Sequence, residues 1–247
     1  MCLRGRFSGA QAFLWRNDME QLQNGITLEL CPGAFPLSTD SVALAGFVKL
    51  PPKATVLDLG SGCGTLGLML CAKDENCCVT GVELDEQAHL TAIRNACRNS
   101  LSSRLLSICG DIANIPEFIA PGSFRCCVSN PPYFSGGPAS QTHQTARRED
   151  TCPLDTLLSS AAWALQYGGD FYLVHRTERL AEIIAKASNL HLEPKRLCLL
   201  RHRENGPVAL ILLQCRKGGK PGLILEEWAL YDAQGNPTER YKTLYHL

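Results

Sequence analysis

Val56-Leu57-Asp58-Leu59-Gly60-Ser61-Gly62-Cys63-Gly64 is the stretch that most limits what this chain can become. An apolar run of strand length enters a glycine-rich turn, and an apolar helix from Leu66 to Ala72 leaves it. A strand, turn and helix in that order start a doubly wound α/β sheet, and the glycines let the backbone come close to a ligand. The spacing is Gly-x-Gly-x-Gly rather than Gly-x-Gly-x-x-Gly, and Asp58 stands just ahead of the first glycine. That acid would repel a pyrophosphate, whereas it would attract the ammonium carried by the amino-acid moiety of a sulfonium cofactor. The turn, made of Gly60, Gly62 and Gly64, therefore favours S-adenosylmethionine over NAD.

Further strands follow at the intervals such a sheet requires. Cys78 to Asp85 reads as a buried strand, and its Glu83 lies about twenty residues past the turn, where this fold places a carboxylate for ribose hydroxyls. Glu83 and the adjoining Leu84 are cofactor candidates. Asp85 can cap a helix from Glu86 to about Asn99, with Ala88, Ala92, Ile93 and Ala96 on one face. A third strand, Leu105 to Cys109, ends in Gly110-Asp111-Ile112; Asp111 could accept from an adenine amino group while Ile112 packs on the ring. An ordinary turn aspartate is the competing reading.

The fourth strand, Phe124 to Ser129, delivers Asn130-Pro131-Pro132-Tyr133-Phe134 to the same sheet edge. An exocyclic amine on an aromatic base is a poor nucleophile because its lone pair is delocalised into the ring. The Asn130 side-chain oxygen and a neighbouring backbone carbonyl could each accept one of its N–H groups and aim the lone pair at a methyl group. Pro131 and Pro132 stiffen the backbone, and Tyr133 offers a flat face for the base. Alone, this is an Asn-Pro turn closing a strand; behind the acid–glycine–acid series it reads as an acceptor site.

Ahead of the glycine turn, residues 1–36 form an N-terminal extension with a short strand pair around Gly25 to Leu30. Ser38 or Thr39 can cap a helix from Asp40 to about Lys49, so Thr39 and Asp40 could face the cofactor. After Phe134, a polar, Gly-rich segment leads to Arg147-Arg148, which could meet an RNA backbone; a solvated insertion in which Arg147 pairs with Glu149 or Asp150 competes. A helix is expected from Pro153 to Gln166, ended by Gly168-Gly169, then a fifth strand from Phe171 to His175 and a helix from Glu178 to Ser188. Strands Arg196–Arg201 and Val208–Cys215 are joined by so short a turn that they must be antiparallel. The expected fold class is α/β: a doubly wound, Rossmann-like sheet of seven strands, mostly parallel, with an antiparallel last strand. Residues 37–247 make this one domain, and the tail from Leu223 adds an extra strand or a cover.

The formal charge is zero, so attraction to nucleic acid must come from local patches. Lys195, Arg196, Arg201 and Arg203, then Arg216, Lys217 and Lys220, are grouped in sequence with Glu204 as the only nearby acid; solvated strand ends explain the grouping nearly as well. Thirteen cysteines, an odd number without a Cys-x-x-Cys, suit reduced thiols in a cytoplasmic protein. Scattered histidines argue against a metal, and no apolar run is long enough to span a membrane. No obligatory protein partner is implied.

Taken together, Phe35-Pro36-Leu37-Ser38-Thr39-Asp40-Ser41, the turn from Asp58 to Gly64, Glu83, Asp111, Asn130 to Phe134, Ala146-Arg147-Arg148-Glu149 and Lys217-Gly218-Gly219-Lys220-Pro221-Gly222 give a closer match. In this order the chain resembles the bacterial tRNA adenine-N6 methyltransferases of the valine-tRNA type, from about residue 20 to its end. The resemblance implies a class I methyltransferase fold, S-adenosylmethionine as donor, and adenosine 37 of a valine tRNA as acceptor. It also implies that the glycine turn and Glu83 hold the cofactor, that Asp111 and Ile112 frame its adenine, and that Asn130 to Tyr133 hold the acceptor amine. Asn-Pro-Pro-Tyr is likewise similar to the motif of release-factor glutamine-N5 methyltransferases, and Asn-Pro-Pro-Phe relatives methylate guanine N2 in ribosomal RNA. Those are the alternative acceptors.

Overall fold

A computed structural model describes residues 19–21, 25–32, 37–132 and 153–245. Its centre is an eight-stranded sheet. In chain order the strands are β3 (Thr55–Leu59), β4 (Cys78–Glu83), β5 (Leu105–Cys109), β6 (Phe124–Ser129), β7 (Leu165–His175), β8 (Leu192–Arg203), β9 (Val208–Lys217) and β10 (Ile224–Tyr231). In space they run β10-β8-β9-β7-β6-β3-β4-β5, so the order reverses between β3 and β6. Only β9 is antiparallel to its neighbours, inserted between β7 and β8. The seven expected strands are therefore present with the expected directions. The tail supplies an eighth, β10, parallel to β8 at the edge.

Helices cover both faces. One face carries α1 (Thr39–Phe47), α2 (Thr65–Lys73) and α3 (Glu86–Arg98), joined at the end of the chain by α7 (Glu239–Tyr245). Their core includes Phe47, Leu68, Leu70 and Val79, with Trp228 and Leu244 brought in from the tail. The other face carries α4 (Ile115–Phe118), α5 (Leu154–Ala164) and α6 (Leu180–Asn189), packed over Leu57, Val82, Phe171 and Leu213. Parallel strands covered on both sides read as largely apolar runs, as Val56-Leu57, Cys126-Cys127-Val128 and Phe171 to Val174 do. Among the described residues no helix is long and apolar enough to cross a membrane.

Several local expectations change. Ile93 is 45% exposed, so the buried stripe of α3 is Ala88, Ala92 and Ala96 with Thr91 and Asn95. Helix α5 stops at Ala164, before Gly168-Gly169, and the strand begins at once at Leu165. The glycines sit inside β7, where Gly168 takes φ +81° at a register shift against β6. They serve a bulge rather than a helix end. Cys109 is exposed and Cys215 is buried; the described cysteines are free thiols.

The N-terminal pair is β1 (Met19–Gln21) against β2 (Thr27–Glu29). Its second strand docks on α3 in an unusual way. Asn99 Oδ1 accepts from Thr27 N and its Nδ2 donates to Thr27 O, at 2.9 and 2.7 Å; Asn95 does the same for Glu29, at 2.8 and 2.9 Å. Two asparagine amides one turn apart thus replace a neighbouring strand for alternate residues of β2. Asn95 Nδ2 also donates to Cys63 O at 2.9 Å, which ties this segment to the glycine turn.

Candidate functional site

The parallel strands β3, β4, β5 and β6 end side by side, so the turns that follow them share one edge. Leu59 and Ser129, the last residues of β3 and β6, are joined by a bond from Ser129 Oγ to Leu59 O at 2.8 Å. Gly60 N and Ser61 N both donate to Val82 O, at 3.0 and 3.1 Å, and Gly110 N donates to Glu83 O at 2.9 Å. Asn130, the glycine turn, Glu83 and Asp111 are therefore linked in a row along the carboxyl edge, across the reversal in strand order. Open α/β sheets bind ligands at that position.

Gly60, Gly62 and Gly64 take φ of +73°, +55° and +84°, which side chains rarely adopt. A Cβ on Gly60 or Gly62 would meet no protein atom within 4 Å, so the room beside both is open. Gly64 instead lies against Ala92 of α3. The turn is thus a shaped backbone with free space on its outer side, the cradle a cofactor's amino-acid and ribose portions need. Gly81 has another reason to be glycine, since a Cβ there would lie 2.5 Å from Ser61 Oγ.

Glu83 stands at the carboxyl end of β4, where its Oε2 accepts from Gly62 N at 2.7 Å and its Oε1 from Asp85 N at 2.9 Å. These bonds fix the carboxylate while leaving further lone pairs for hydroxyls. Asp58 is 2% exposed, and burial, followed by the nearby Glu83 charge, raises its pKa to about 8. An acid so placed regains its charge when a cation comes beside it, which would suit the ammonium of such a cofactor. Asp111 caps a short 3₁₀ turn by accepting from Ala113 N at 2.8 Å, and Ile112 beside it is buried. Leu84 is half-exposed beyond Glu83. These residues fit S-adenosylmethionine in shape and in charge.

Asn130 follows β6 directly, half-buried, with Pro131 buried and Pro132 exposed. Its Nδ2 donates to Ser41 Oγ at 2.9 Å, a contact between residues far apart in sequence. Ser38 caps α1 as expected, accepting from Ser41 N at 3.3 Å. Asp40 is partly buried, which raises its pKa against the lowering effect of Arg176. Thr39 Oγ1 meets Tyr245 Oη at 3.4 Å. Sequence reasoning gave a role to Thr39 and Asp40 from this turn and none to Ser41, although the run Phe35 to Ser41 that carries the family resemblance includes it. Tyr133, Phe134, Arg147 and Arg148 lie outside the described residues.

The basic residues do not form one patch. Because β9 runs antiparallel, Lys217 and Lys220 lie at the amino edge of the sheet, whereas Arg201 and Arg203 end β8 at the carboxyl edge. Lys217 Nζ donates to Ala162 O and Leu165 O at 2.6 and 2.7 Å. Arg216 pairs with Asp170, and Arg196 with Glu226, at 2.9 and 2.7 Å. Folding therefore brings in acids that Glu204 alone did not suggest. Arg201 donates to Gly206 O at 2.6 Å, and Arg203 is exposed. Among the described residues, no group of three or more His, Cys, Asp or Glu side chains could hold a metal ion.

Residues 39–189 match the family model described as "Methyltransferase small domain". The chain is 30% identical over 208 residues to the tRNA1(Val) (adenine(37)-N6)-methyltransferase of Photobacterium profundum, covering 80% of this chain and 87% of that one. Among solved structures it is similar to a predicted O-methyltransferase of Agrobacterium tumefaciens, with a TM-score of 0.71, 20% identity, and 84% and 96% of the two chains covered. It is also similar to the T. thermophilus 16S rRNA N2 G1207 methyltransferase solved with AdoMet and guanosine, with a TM-score of 0.58, 21% identity, and 81% and 49% covered. At these identities the two structures speak for the fold.

Proposed function

The chain belongs to the methyltransferase small domain family and is an S-adenosylmethionine-dependent methyltransferase, and we propose that it methylates the exocyclic N6 of an adenosine in tRNA, adenosine 37 of a valine tRNA. The observation that carries this reading is the placement of Asn130. It stands at the carboxyl end of β6, beside the glycine turn and tied to it through Ser129 and Leu59. The acceptor named for the Photobacterium relative is an exocyclic amine, the group that Asn130 is chemically suited to hold.

S-adenosylmethionine, when bound, supplies an electrophilic methyl group on a sulfonium. The task of the chain is to present a nitrogen to it. In our reading Asp58, Gly60, Gly62, Gly64 and Glu83 hold the cofactor, and Asp111 and Ile112 border its adenine. Asn130 Oδ1 and the backbone of the diproline corner accept the two N–H groups of the adenine amine, turning its lone pair outward. Tyr133 supplies a face for a base taken out of its stack. The amine can lose its proton after the new bond has formed, so catalysis rests on positioning and on electrostatics at nitrogen, without a general base. Arg201 and Arg203 end β8 at the carboxyl edge, on the acceptor side of the sheet, and are our candidates for an RNA backbone.

Incubation with labelled S-adenosylmethionine and separated tRNA, ribosomal RNA and protein fractions tests the proposal. Label in valine tRNA, recovered as N6-methyladenosine at position 37, is the expected result. Label in guanine of ribosomal RNA, or in a glutamine side chain, would overturn it.

A further inference from the structure

An asparagine amide has two ends of nearly equal size and opposite hydrogen-bonding character. If Asn130 is to accept from an amine, its oxygen must face the acceptor, because the opposite orientation would set NH₂ against NH₂. Resting on the reading of Asn130 given above, we propose that Ser41 is the positioning residue that decides this orientation, by drawing the Nδ2 end of the amide onto its hydroxyl.

The geometry is specific. Asn130 Nδ2 lies 2.9 Å from Ser41 Oγ, and Ser41 is only 8% exposed, so little water competes for the contact. Ser41 is itself fixed. It sits in the first turn of α1, its N–H donating to Ser38 Oγ at 3.3 Å and its hydroxyl 3.4 Å from the same oxygen. Either hydroxyl can donate in that contact; when Ser41 donates, Ser38 Oγ accepts both hydrogens and Ser41 Oγ keeps its lone pairs for the amide. The bonds then run in one direction, from Asn130 to Ser41 to Ser38, and Oδ1 is the end left for the acceptor.

Helix α1 is a rigid support for this relay. Phe47, in its last turn, packs edge-on against Tyr172 and Trp228 at ring distances of 6.2 and 5.8 Å. Lys73 Nζ holds its last carbonyls, donating to Ala45 O and Val48 O at 3.0 and 2.6 Å. A short helix anchored at its far end cannot easily withdraw its first turn from the diproline corner. The Ser38-Thr39-Asp40-Ser41 stretch thereby has a part in the acceptor half of the site, and the cofactor role expected for Thr39 and Asp40 is not needed to explain it.

The test uses the full chain with tRNA and S-adenosylmethionine. Ser41→Ala should lower kcat about 10-fold, the loss expected when one orienting hydrogen bond is removed. KM for tRNA, cofactor affinity by calorimetry and melting temperature should stay near wild type. Ser41→Thr, which keeps the hydroxyl, should recover most of kcat. A wild-type kcat in Ser41→Ala, beside a collapsed kcat in Asn130→Ala, would overturn the Ser41 proposal alone. So would a fall in kcat, cofactor affinity and melting temperature together that Ser41→Thr does not rescue, which is the pattern of a merely structural residue. Wild-type turnover in Asn130→Ala would instead take down the underlying reading of the site and this inference with it.

Discussion

The two edges of the sheet both carry polar groups and use them in opposite ways. At the amino edge, where the helices end, cations close on backbone carbonyls. Lys73 caps the end of α1, Arg104 Nη1 donates to Cys71 O, Asp74 O and Cys77 O at 3.2, 3.2 and 3.3 Å, and Lys217 caps the end of α5. At the carboxyl edge, where the helices begin, acids and hydroxyls face backbone N–H groups: Ser38 at α1, Asp85 at α3 and Asp111 at the 3₁₀ turn. Both patterns follow from the direction of the helices, whose orphan carbonyls and positive N-termini demand such partners. The difference lies in what remains. Lys73, Arg104 and Lys217 at the amino edge are consumed by the fold, while Asp58, Glu83 and Asn130 keep capacity beyond their internal contacts. If this contrast is correct, substitutions at the carboxyl edge act on binding and turnover, and those at the amino edge act on stability.

The largest effect should come from Glu83. Glu83→Ala removes the acceptor of Gly62 N and Asp85 N and the carboxylate that faces the cofactor cradle. S-adenosylmethionine affinity, measured by calorimetry, should fall at least ~100-fold, or about 2.7 kcal/mol. An affinity within a few-fold of wild type would mean that Glu83 only braces the turn, and the contrast would lose its main example.

At the other edge, Lys217→Met keeps the aliphatic stem and deletes the charge that satisfies Ala162 O and Leu165 O. Stability should drop by about 2 kcal/mol, the cost of leaving buried carbonyls unpaired. For a domain of this size that is roughly 4–8 °C in melting temperature. KM for tRNA should not change, although the sequence offered Lys217 as an RNA contact. A raised KM with an unchanged melt would return Lys217 to the RNA.

Asp58 has a pH signature. Its ordinary pKa is 3.8, and in the fold it rises to about 8. Between those values the unfolded chain carries Asp58 charged and the folded chain carries it protonated, so the native state binds the extra proton. Stability must then fall as pH rises from about 4 to about 8 and level off above that. Asp58→Asn removes this dependence and should melt several degrees higher than wild type at pH 8, at about 2–4 °C per kcal/mol. The same variant should bind S-adenosylmethionine more weakly. A melting curve that keeps the wild-type pH dependence would place the titrating group elsewhere.

Much of this arrangement was legible in the sequence because it is written locally. The glycine turn, Glu83 after a buried run, Asp111 after Gly110 and Asn130 after Val128-Ser129 are each fixed by strand ends, and parallel strands must deliver their ends to one edge. The hairpin of β8 and β9 followed from the shortness of its turn. The failures have a common cause. Lys217 and Arg201 are close in sequence terms and lie at opposite edges, because one antiparallel strand reverses the polarity of its ends. Ser41 meets Asn130, and Asn95 meets Glu29 and Cys63, only through packing of elements remote in the chain, so neither contact leaves a spacing to recognise. The bulge at Gly168 was hidden for another reason, since a glycine pair after a helix looks the same whether it stops the helix or bends the strand that follows.

Arg203 should give the smallest effect and decides whether the carboxyl edge meets RNA at all. It ends β8, exposed, opposite Tyr231 of β10, whereas Arg201 beside it is partly engaged by Gly206 O. A single exposed phosphate contact is worth little in physiological salt, because released counterions supply most of its free energy and are already abundant. Arg203→Ala should therefore raise KM for tRNA by roughly 2–5-fold in low salt, lower the slope of log KM against log salt by about 1, and lose its effect in high salt. Cofactor affinity and melting temperature should be unchanged, since Arg203 touches neither the cradle nor the core. If Arg203→Ala were silent at every salt concentration while Lys217→Met raised KM, the RNA would be meeting the amino edge, and the division between the two edges drawn from helix direction would have to be reversed.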